Sequence, residues 1–397
     1  MKSMNASNEP NFFGMCARCN IEIIGEENGL IAMDRMYHVS CFTCTMCGCR
    51  LRGMHFYSME NKPYCESCYV NSLEKCVSCG LPITDRVCSA LMSGKYASNI
   101  ASDPNVGPTK EDDKFIIDWT FLIDTLNFSF WTDDKENESY VRKYKDKIYC
   151  GSFALAVSIN QALDDGIDIL NAEYYSRITM DELENIFRSS VNSSRPPMLT
   201  ERLNVLHETG AILLKEYGGH FSNCIEQSGG SALKLVELIV KSFPAYRDEA
   251  IYDGQRVSFY KRAQLLVSDI WKRLHGHGLG HFIDIDSLTM FADYSVPQLL
   301  SYEGVLVYSP ELKRRIDGKE EIPPGDSDEC EIRAGSILVV DLIVNHANEI
   351  IRLEKNSENE GKKLNAATVD GYLWRKSVDQ EHLYQQTPFH RTRTIFY

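Results

Sequence analysis

The chain has 397 residues, 43% hydrophobic and 25% charged, which are ordinary proportions for a globular protein. Its 42 Lys and Arg against 56 Asp and Glu give a net charge of −14, which disfavours nonspecific binding to nucleic acid or an anionic membrane. Residues 1–13 are polar and predicted to be disordered, without the apolar core of a signal peptide, and no run of about 18 apolar residues follows. We expect a soluble, cytoplasmic protein with no membrane and no direct nucleic-acid contact.

Cysteines crowd the N-terminal end, where ten of the 14 lie between Cys16 and Cys79. A CxxC pair presents two sulfurs to one metal ion, and Zn²⁺ takes four such ligands in a tetrahedron. Only two residues separate the fourth ligand from the fifth, so the two predicted sites abut. Eight ligands leave no open position for substrate, so both zinc ions are predicted to be structural. The first site is predicted to use Cys16, Cys19, His38 and Cys41, and the second Cys44, Cys47, Cys65 and Cys68.

This ligand pattern, in the stretch that starts CARCN and ends CESCY, resembles the LIM domain, and more narrowly the first LIM domain of the zyxin-type adaptors. The resemblance covers residues 14–75. It implies short β-hairpins, two structural zinc ions, protein partners, and a small core that includes Phe42 and Leu51. Cys49 falls outside the ligand pattern, and we expect a bystander thiol there rather than a swapped ligand.

A second LIM-like sequence starts at once but is cut short. Residues 76–96 supply Cys76 and Cys79, and then Ala97 stands where a further ligand is due. Two thiolates cannot satisfy a tetrahedral zinc, so we expect free thiols here unless Cys88 or a partner completes the site. Residues 97–114 have the composition of a linker.

The rest of the chain is predicted to be mainly α-helical. Residues 115–131 are apolar and aromatic, with Asp118, Asp124 and Asn127 embedded in them as caps or as members of a polar pocket. Amphipathic periodicity then predicts helices, the second of which opens with a capping box of Thr179 and Glu182. The predicted helices cover 153–166, 179–189, 202–219, 231–243 and 257–274, while 337–344 suits either a buried helix or a strand.

Two charged residues stand out in apolar surroundings. Lys261 lies at the margin of an apolar helical stripe, where it is either a lysine that snorkels to water or a desolvated amine with a lowered pKa. Asp293 precedes a helix that Ser295 could cap and Pro297 could help to initiate. It is either a helix-entry carboxylate or a catalytic carboxylate stabilised at a helix N-terminus.

From residue 115 to 397 the chain resembles the queuosine salvage protein family. The motifs that carry this resemblance include DTLNFSFW (124–131), SFPAYRD (242–248), RVSFYKRAQLLVSDIW (256–271), TMFADYSVPQLL (289–300), EIRAGSILVVDLI (331–343) and PFHRTRTIFY (388–397). The resemblance implies hydrolysis of the N-glycosidic bond of queuosine 5′-phosphate, which releases queuine for salvage into tRNA modification. It also implies a fold similar to helix-hairpin-helix DNA glycosylases, and no cofactor for catalysis.

The resemblance assigns the catalytic roles to Lys261 and Asp293, which would face the bond between sugar and base. Phe291 and Tyr294 would stack on the deazapurine. Further substrate contacts are expected from Asp370, which would bond the base, from Tyr372 and Trp374 as a wall, and from Asp124.

The sequence departs from the family at three places. Family members carry a further helical region before their DTLNFSFW segment, where this chain carries LIM sequence. Arg375 replaces a usual acidic residue, and Ser152 and Phe153 replace a Tyr-Trp pair. The alternative hypothesis is therefore a LIM-mediated adaptor with an inactive glycosidase-like domain.

Overall fold

The computed structural model describes residues 12–33, 35–54, 56–59, 62–65, 68, 103–132, 140–189, 195–353, 363–379, 384 and 387–397. The chain divides into two compact units, Met1–Ile83 and Thr84–Tyr397, which are described separately. Most of the predicted disordered N-terminus, the truncated second LIM segment and residues 97–102 of the predicted linker lie outside the described residues.

The described residues of the N-terminal unit form three antiparallel β-hairpins, as the LIM resemblance implied. Its hydrophobic core is small, and the predicted core residues Phe42 and Leu51 are buried in it beside Ile23 and Tyr37. A core of this size contributes little stability by itself. The hairpins pair β1 (Phe12–Met15) with β2 (Glu22–Ile24), β3 (Gly29–Ala32) with β4 (Arg35–His38), and β5 (Phe56–Met59) with β6 (Lys62–Cys65).

The large unit is mainly α-helical, which confirms the predicted class. The helices between residues 113 and 273 enclose an extended hydrophobic core, in which the helix Asp113–Thr125 packs directly against the helix Lys261–Arg273. The helices are α1 (Asp113–Thr125), α2 (Gly151–Asp164), α3 (Ala172–Tyr175), α4 (Met180–Ile186), α5 (Leu199–Tyr217), α6 (Ser222–Ser228), α7 (Ala232–Ser242), α8 (Lys261–Arg273), α9 (Ser295–Tyr302), α10 (Pro310–Asp317), α11 (Ser327–Leu353) and α12 (Ala366–Asp379).

Two local predictions are confirmed, and one open alternative is resolved. The Thr179 and Glu182 capping box is present at α4, since each side chain bonds the other's backbone N–H. Helix α5 ends at Gly218 with φ 59°, a left-handed conformation that glycine adopts at little cost. Residues 337–344 lie inside α11 and are therefore helical.

Two hairpins in the large unit were missed. Strands β7 (Val141–Tyr144) and β8 (Lys147–Cys150) form one, and β9 (Glu249–Tyr252) and β10 (Gln255–Ser258) form the other. The prediction of a helix from residue 257 is wrong at its start, because α8 begins only at Lys261.

The sequence contained a signal for the second hairpin. Asp253 and Gly254 both have positive φ, 48° and 73°, which is the conformation of a two-residue hairpin turn. An Asp-Gly pair between alternating residues predicts such a turn. The apolar spacing of Val257 and Phe259 fits a helix and a strand equally well over so short a stretch.

Helix α11 is long and apolar enough to cross a membrane by length and composition, with mean hydropathy 1.3. It packs against α9 and α12 inside the large unit and buries the charged side chains of Glu329 and Arg333. These contacts hold one side of the helix against the unit, while only 22% of its apolar window is buried and Leu338 and Leu342 are exposed.

Residues 103–112 of the predicted linker are held against the large unit. The Asn160 side chain donates hydrogen bonds to the carbonyls of Asn105 and Gly107, at 2.8 and 2.9 Å. Asp112 caps α1 by accepting from the Phe115 N–H. The similarity to helix-hairpin-helix glycosylases stays an expectation.

Candidate active site and zinc centres

Lys261 is the first residue of α8 and is buried. Tyr260, just before it, has φ 50° and turns the chain from strand β10 into the helix. The Lys261 N–H donates to Asp248 Oδ2 at 3.0 Å, which fixes the backbone. Its ammonium lies 3.9 Å from Asp293 Oδ2, and only 8% of the lysine side chain is exposed. The snorkelling alternative is therefore wrong: the amine faces a carboxylate inside the protein.

Asp293 is held at the N-terminus of α9. Its Oδ1 accepts from the N–H groups of Ser295 at 2.8 Å and Val296 at 3.3 Å. The prediction that Ser295 caps this helix is wrong, because Ser295 is the first helical residue and the Asp293 carboxylate does the capping. The two bonds hold the carboxylate at the helix N-terminus, and they leave Oδ2 directed to Lys261.

Asp370 on α12 is the second carboxyl group of this site. Its Oδ1 accepts from the Phe291 N–H at 3.1 Å, so it touches the segment that leads to Asp293. Burial, and then the charge of Asp293, raise the pKa of Asp370 to about 7, against the opposing charges of Lys272 and Lys261. A carboxyl group with this pKa can exist in either protonation state near neutral pH.

The raised pKa of Asp370 predicts a pH-dependent stability. Between about pH 4 and pH 7 the folded state holds a proton that the unfolded state has lost, so the free energy of unfolding falls as pH rises. Asp370→Asn should remove this contribution, up to about 1.4 kcal/mol per pH unit. Urea unfolding of both proteins across this range measures the difference.

All four tryptophans, Trp119, Trp131, Trp271 and Trp374, lie in the large unit, so their fluorescence reports its unfolding alone. Asp379→Asn is the control, because Asp379 lies on the same helix and is exposed, in an ion pair with Arg375. Equal pH slopes for wild type and Asp370→Asn would contradict the assignment.

Asp124 lies near the end of α1, is fully buried, and interacts electrostatically with Lys261 and Arg273. Burial, and then the charge of Asp269, raise its pKa well above the usual range. Among the described residues its Oδ2 has no hydrogen-bond partner. A buried, unpaired polar atom costs free energy, so this oxygen is suited to a ligand contact.

Asp118, the other embedded aspartate of α1, has a structural contact instead. It accepts hydrogen bonds from His220 Nδ1 and the Phe221 N–H, which connects α1 to the start of α6.

Phe291 and Tyr294, two of the predicted aromatic residues, have different neighbours. The Phe291 ring is buried, with the Lys272 ammonium 5.7 Å from its centroid. The Tyr294 ring contacts Phe389 at 4.9 Å between centroids.

On α12, Trp374 follows Asp370 by four residues and shares its face, and its ring contacts Phe153 at 5.6 Å. Tyr372 follows Asp370 by two residues and therefore lies about 200° round the helix. Trp374 therefore lies on the same face of α12 as Asp370.

A buried ion cluster behind the site was not foreseen. Arg333 donates to both oxygens of Asp248, to Glu329 Oε1 at 3.1 Å, and through Nε to the Ala292 carbonyl at 3.0 Å. Tyr397 also donates to Glu329, at 2.8 Å. Arg333 thereby anchors the residue before Asp293, and Asp248 anchors the Lys261 backbone. The sequence placed Asp248 and Arg333 in family motifs, but nothing local indicated that they meet.

The N-terminal unit groups the predicted zinc ligands into two sets. The first contains Cys16, Cys19, His38 and Cys41, whose ligand atoms all lie within 4.8 Å of one another. His38 Nδ1 is 3.4 Å from Cys19 Sγ, and Nε2 is 3.2 Å from the Glu22 carbonyl. A bond from Nε2–H to that carbonyl leaves Nδ1 free to bind metal, so the set fits zinc.

The second set departs from the prediction. Cys44, Cys47, Cys49 and Cys65 lie within the same 4.8 Å limit, so Cys49 is inside the cluster rather than a bystander beside it. The Cys68 thiol also interacts with those of Cys47, Cys65 and Cys44. Four thiolates in this arrangement suit a structural zinc ion.

Removal of zinc should unfold the N-terminal unit and leave the large unit folded. Structural zinc contributes about 10–16 kcal/mol to small domains of this kind, far more than the small core can replace. After treatment with a chelator, limited proteolysis should cut within residues 12–68, while tryptophan fluorescence stays unchanged. Resistance of this segment to protease after proven zinc loss would contradict the prediction.

Comparison with known proteins agrees with both halves. The family model described as queuosine salvage protein matches residues 107–397, and that of the LIM domain matches residues 16–73. The first match begins within the predicted linker, eight residues before the predicted start at 115. The chain belongs to the queuosine salvage protein family, and the matched residues include the buried pair of Lys261 and Asp293.

Individual relatives show the same division. A mouse protein named queuosine 5′-phosphate N-glycosylase/hydrolase is 44% identical over 285 residues, 72% of this chain and 83% of the relative. A Nematostella vectensis protein of the same name is 40% identical over 318 residues, 78% and 90% of the two chains. Bovine thyroid receptor-interacting protein 6 is 47% identical over 88 residues, 22% of this chain and 18% of that protein.

Proposed function

We propose that this protein hydrolyses the N-glycosidic bond of queuosine 5′-phosphate and releases queuine. The observation that carries the proposal is the buried pair of Lys261 and Asp293, 3.9 Å apart at the N-terminus of α9, in a member of this family. The names of the similar mouse and Nematostella proteins support the same substrate.

The proposed reaction passes through a cationic ribose. As the C1′–N bond breaks, the base keeps the electron pair and positive charge develops on the sugar. Asp293 would stabilise that charge and orient a water molecule towards C1′. The water oxygen bonds to C1′, and the proton it loses balances the proton that the base takes up. The products are queuine and ribose 5-phosphate, and this route uses no catalytic cofactor.

Lys261 would position the ribose phosphate or polarise the leaving base. Its ammonium is held by Asp293 and is available to bond a second acceptor. Asp370 and Asp124 would bind the polar groups of the substrate, with Phe291, Tyr294, Tyr372 and Trp374 supplying apolar surface.

The test is release of queuine, followed by mass spectrometry, when the purified full chain is incubated with queuosine 5′-phosphate. A relative without the LIM domain serves as the positive control. Release by that relative and none by this chain would favour the inactive, adaptor-type alternative.

A second experiment separates water from Lys261 as the attacking group. A lysine attack at C1′ would leave an imine after ring opening, which borohydride reduces to a stable adduct on Lys261. We expect no adduct under turnover. A substrate-dependent adduct at Lys261 would overturn the hydrolytic role assigned to water.

We also propose that the LIM unit binds protein partners. In support, its surface exposes apolar side chains, among them Ile21, Ile31 and Met46. Proximity labelling in cells should identify partners that Asp293→Asn retains and Cys44→Ser loses. Imaging of a fluorescent fusion in the same cells tests the inferred cytoplasmic location.

A further inference from the structure

Five thiols surround the second zinc position, although zinc accepts four ligands. The sulfurs of Cys44, Cys47, Cys49 and Cys65 lie within 4.8 Å of one another, and Cys68 interacts with three of them. Cys47 Sγ and Cys65 Sγ are 3.6 Å apart, close to the separation that two sulfurs have on one tetrahedral zinc ion. One thiol is therefore in excess.

The backbone explains why Cys49 points into the cluster. Thr43 and Arg50 form an antiparallel bridge, and the Cys44 N–H donates to the Cys49 carbonyl at 2.8 Å. Cys44 and Cys49 are thus the next opposed pair. Opposed residues in an antiparallel pair carry their side chains on the same face. A ligand at Cys44 therefore brings the Cys49 thiol to the same metal.

The first zinc centre provides an internal comparison. There the Cys16 N–H donates to the Ile21 carbonyl at 3.0 Å, and the Asn20 N–H donates to the Cys16 carbonyl at 2.9 Å. The second centre repeats the latter bond, from Gly48 to Cys44, at 3.0 Å. Asn20 and Gly48 both have positive φ, 59° and 72°. The two turns share one conformation, with isoleucine in the first where the second has Cys49.

We propose that Cys49 is an alternative fourth ligand of the second zinc ion and exchanges with Cys68. Cys44, Cys47 and Cys65 remain bound throughout. In each exchange one Zn–S bond forms and one breaks, and the incoming thiol transfers its proton to the outgoing thiolate. The proposal does not depend on the glycosidase function.

Zinc content of the full-length chain tests the proposal. Cys68→Ser should retain as much zinc as wild type, because Cys49 replaces the lost ligand. Cys49→Ile, which installs the residue of the first centre, should also retain it. The double variant should lose one zinc ion per chain, because only three of the five thiols remain. Cys76 and Cys79 are present in every variant and do not affect these differences.

Loss of one zinc ion from Cys68→Ser alone would overturn the proposal, and so would full zinc content in the double variant. A measurement on the wild-type protein guards against misfolding of variants. Iodoacetamide should alkylate both Cys49 and Cys68 in the zinc-loaded chain, and much faster than Cys44. Protection of Cys68 equal to that of Cys44 would show that it never leaves the metal, which also contradicts the exchange.

Discussion

Asp293→Asn should reduce the release of queuine by at least about 10²-fold, because it removes the negative charge that faces the cationic sugar. The substitution keeps an oxygen that can accept from the Ser295 and Val296 N–H groups, so the start of α9 is preserved. Initial rates at saturating substrate, measured by mass spectrometry, give the effect on kcat. We expect most of the loss there, since the charge acts chiefly in the transition state.

Asp181→Asn is the matched control, because Asp181 lies exposed in the first turn of α4 and should leave the rate unchanged. Native tryptophan emission in both variants verifies that the large unit is folded. If folded Asp293→Asn kept more than about a tenth of the wild-type rate, the carboxylate would not have the assigned role.

Arg333→Met should destabilise the large unit by about 3–5 kcal/mol, because it leaves Asp248 and Glu329 as buried carboxylates without their cation. The side chains of Arg333 and Asp248 are each only 3% exposed, so water cannot compensate. Urea unfolding followed by tryptophan fluorescence measures this loss. Arg314→Met is the control: Arg314 forms an exposed pair with Glu311, and we expect a change below about 1 kcal/mol.

The same cluster should also affect the catalytic rate, because it holds the backbone next to Asp293 and at Lys261. Arg333→Lys keeps the charge but not the planar, two-pronged contact with Asp248, so it should restore part of the stability and less of the rate. In a double-mutant cycle with Asp248→Asn, a coupling energy near zero would contradict the ion pair. Equal recovery of stability and rate in Arg333→Lys would leave no separate positioning role.

Features encoded over a few residues were predictable. The CxxC spacing located all four members of the first metal-ligand group and three of the four in the second, the Thr179 and Glu182 spacing located a helix start, and Phe42 and Leu51 were found in the small core. The failures were also local. The Asp253-Gly254 turn was overlooked, and the period assigned to residues 257–260 was that of a helix instead of a strand. A short apolar stretch fits the period of a helix and that of a strand equally well, and here only the Asp253-Gly254 turn distinguishes the two.

The sequence by itself determined the two-part organisation, the family resemblance and the identity of Lys261 and Asp293 as candidates. The tertiary structure decided that these side chains meet and that Asp293 caps α9. It also decided that the buried pair of Asp248 and Arg333 holds the backbone at Lys261 and next to Asp293. It also placed the Cys49 thiol at the second zinc centre. The physical reason is distance along the chain: spacing fixes which neighbours share a helix face or a turn, whereas contacts between remote residues depend on how the elements pack.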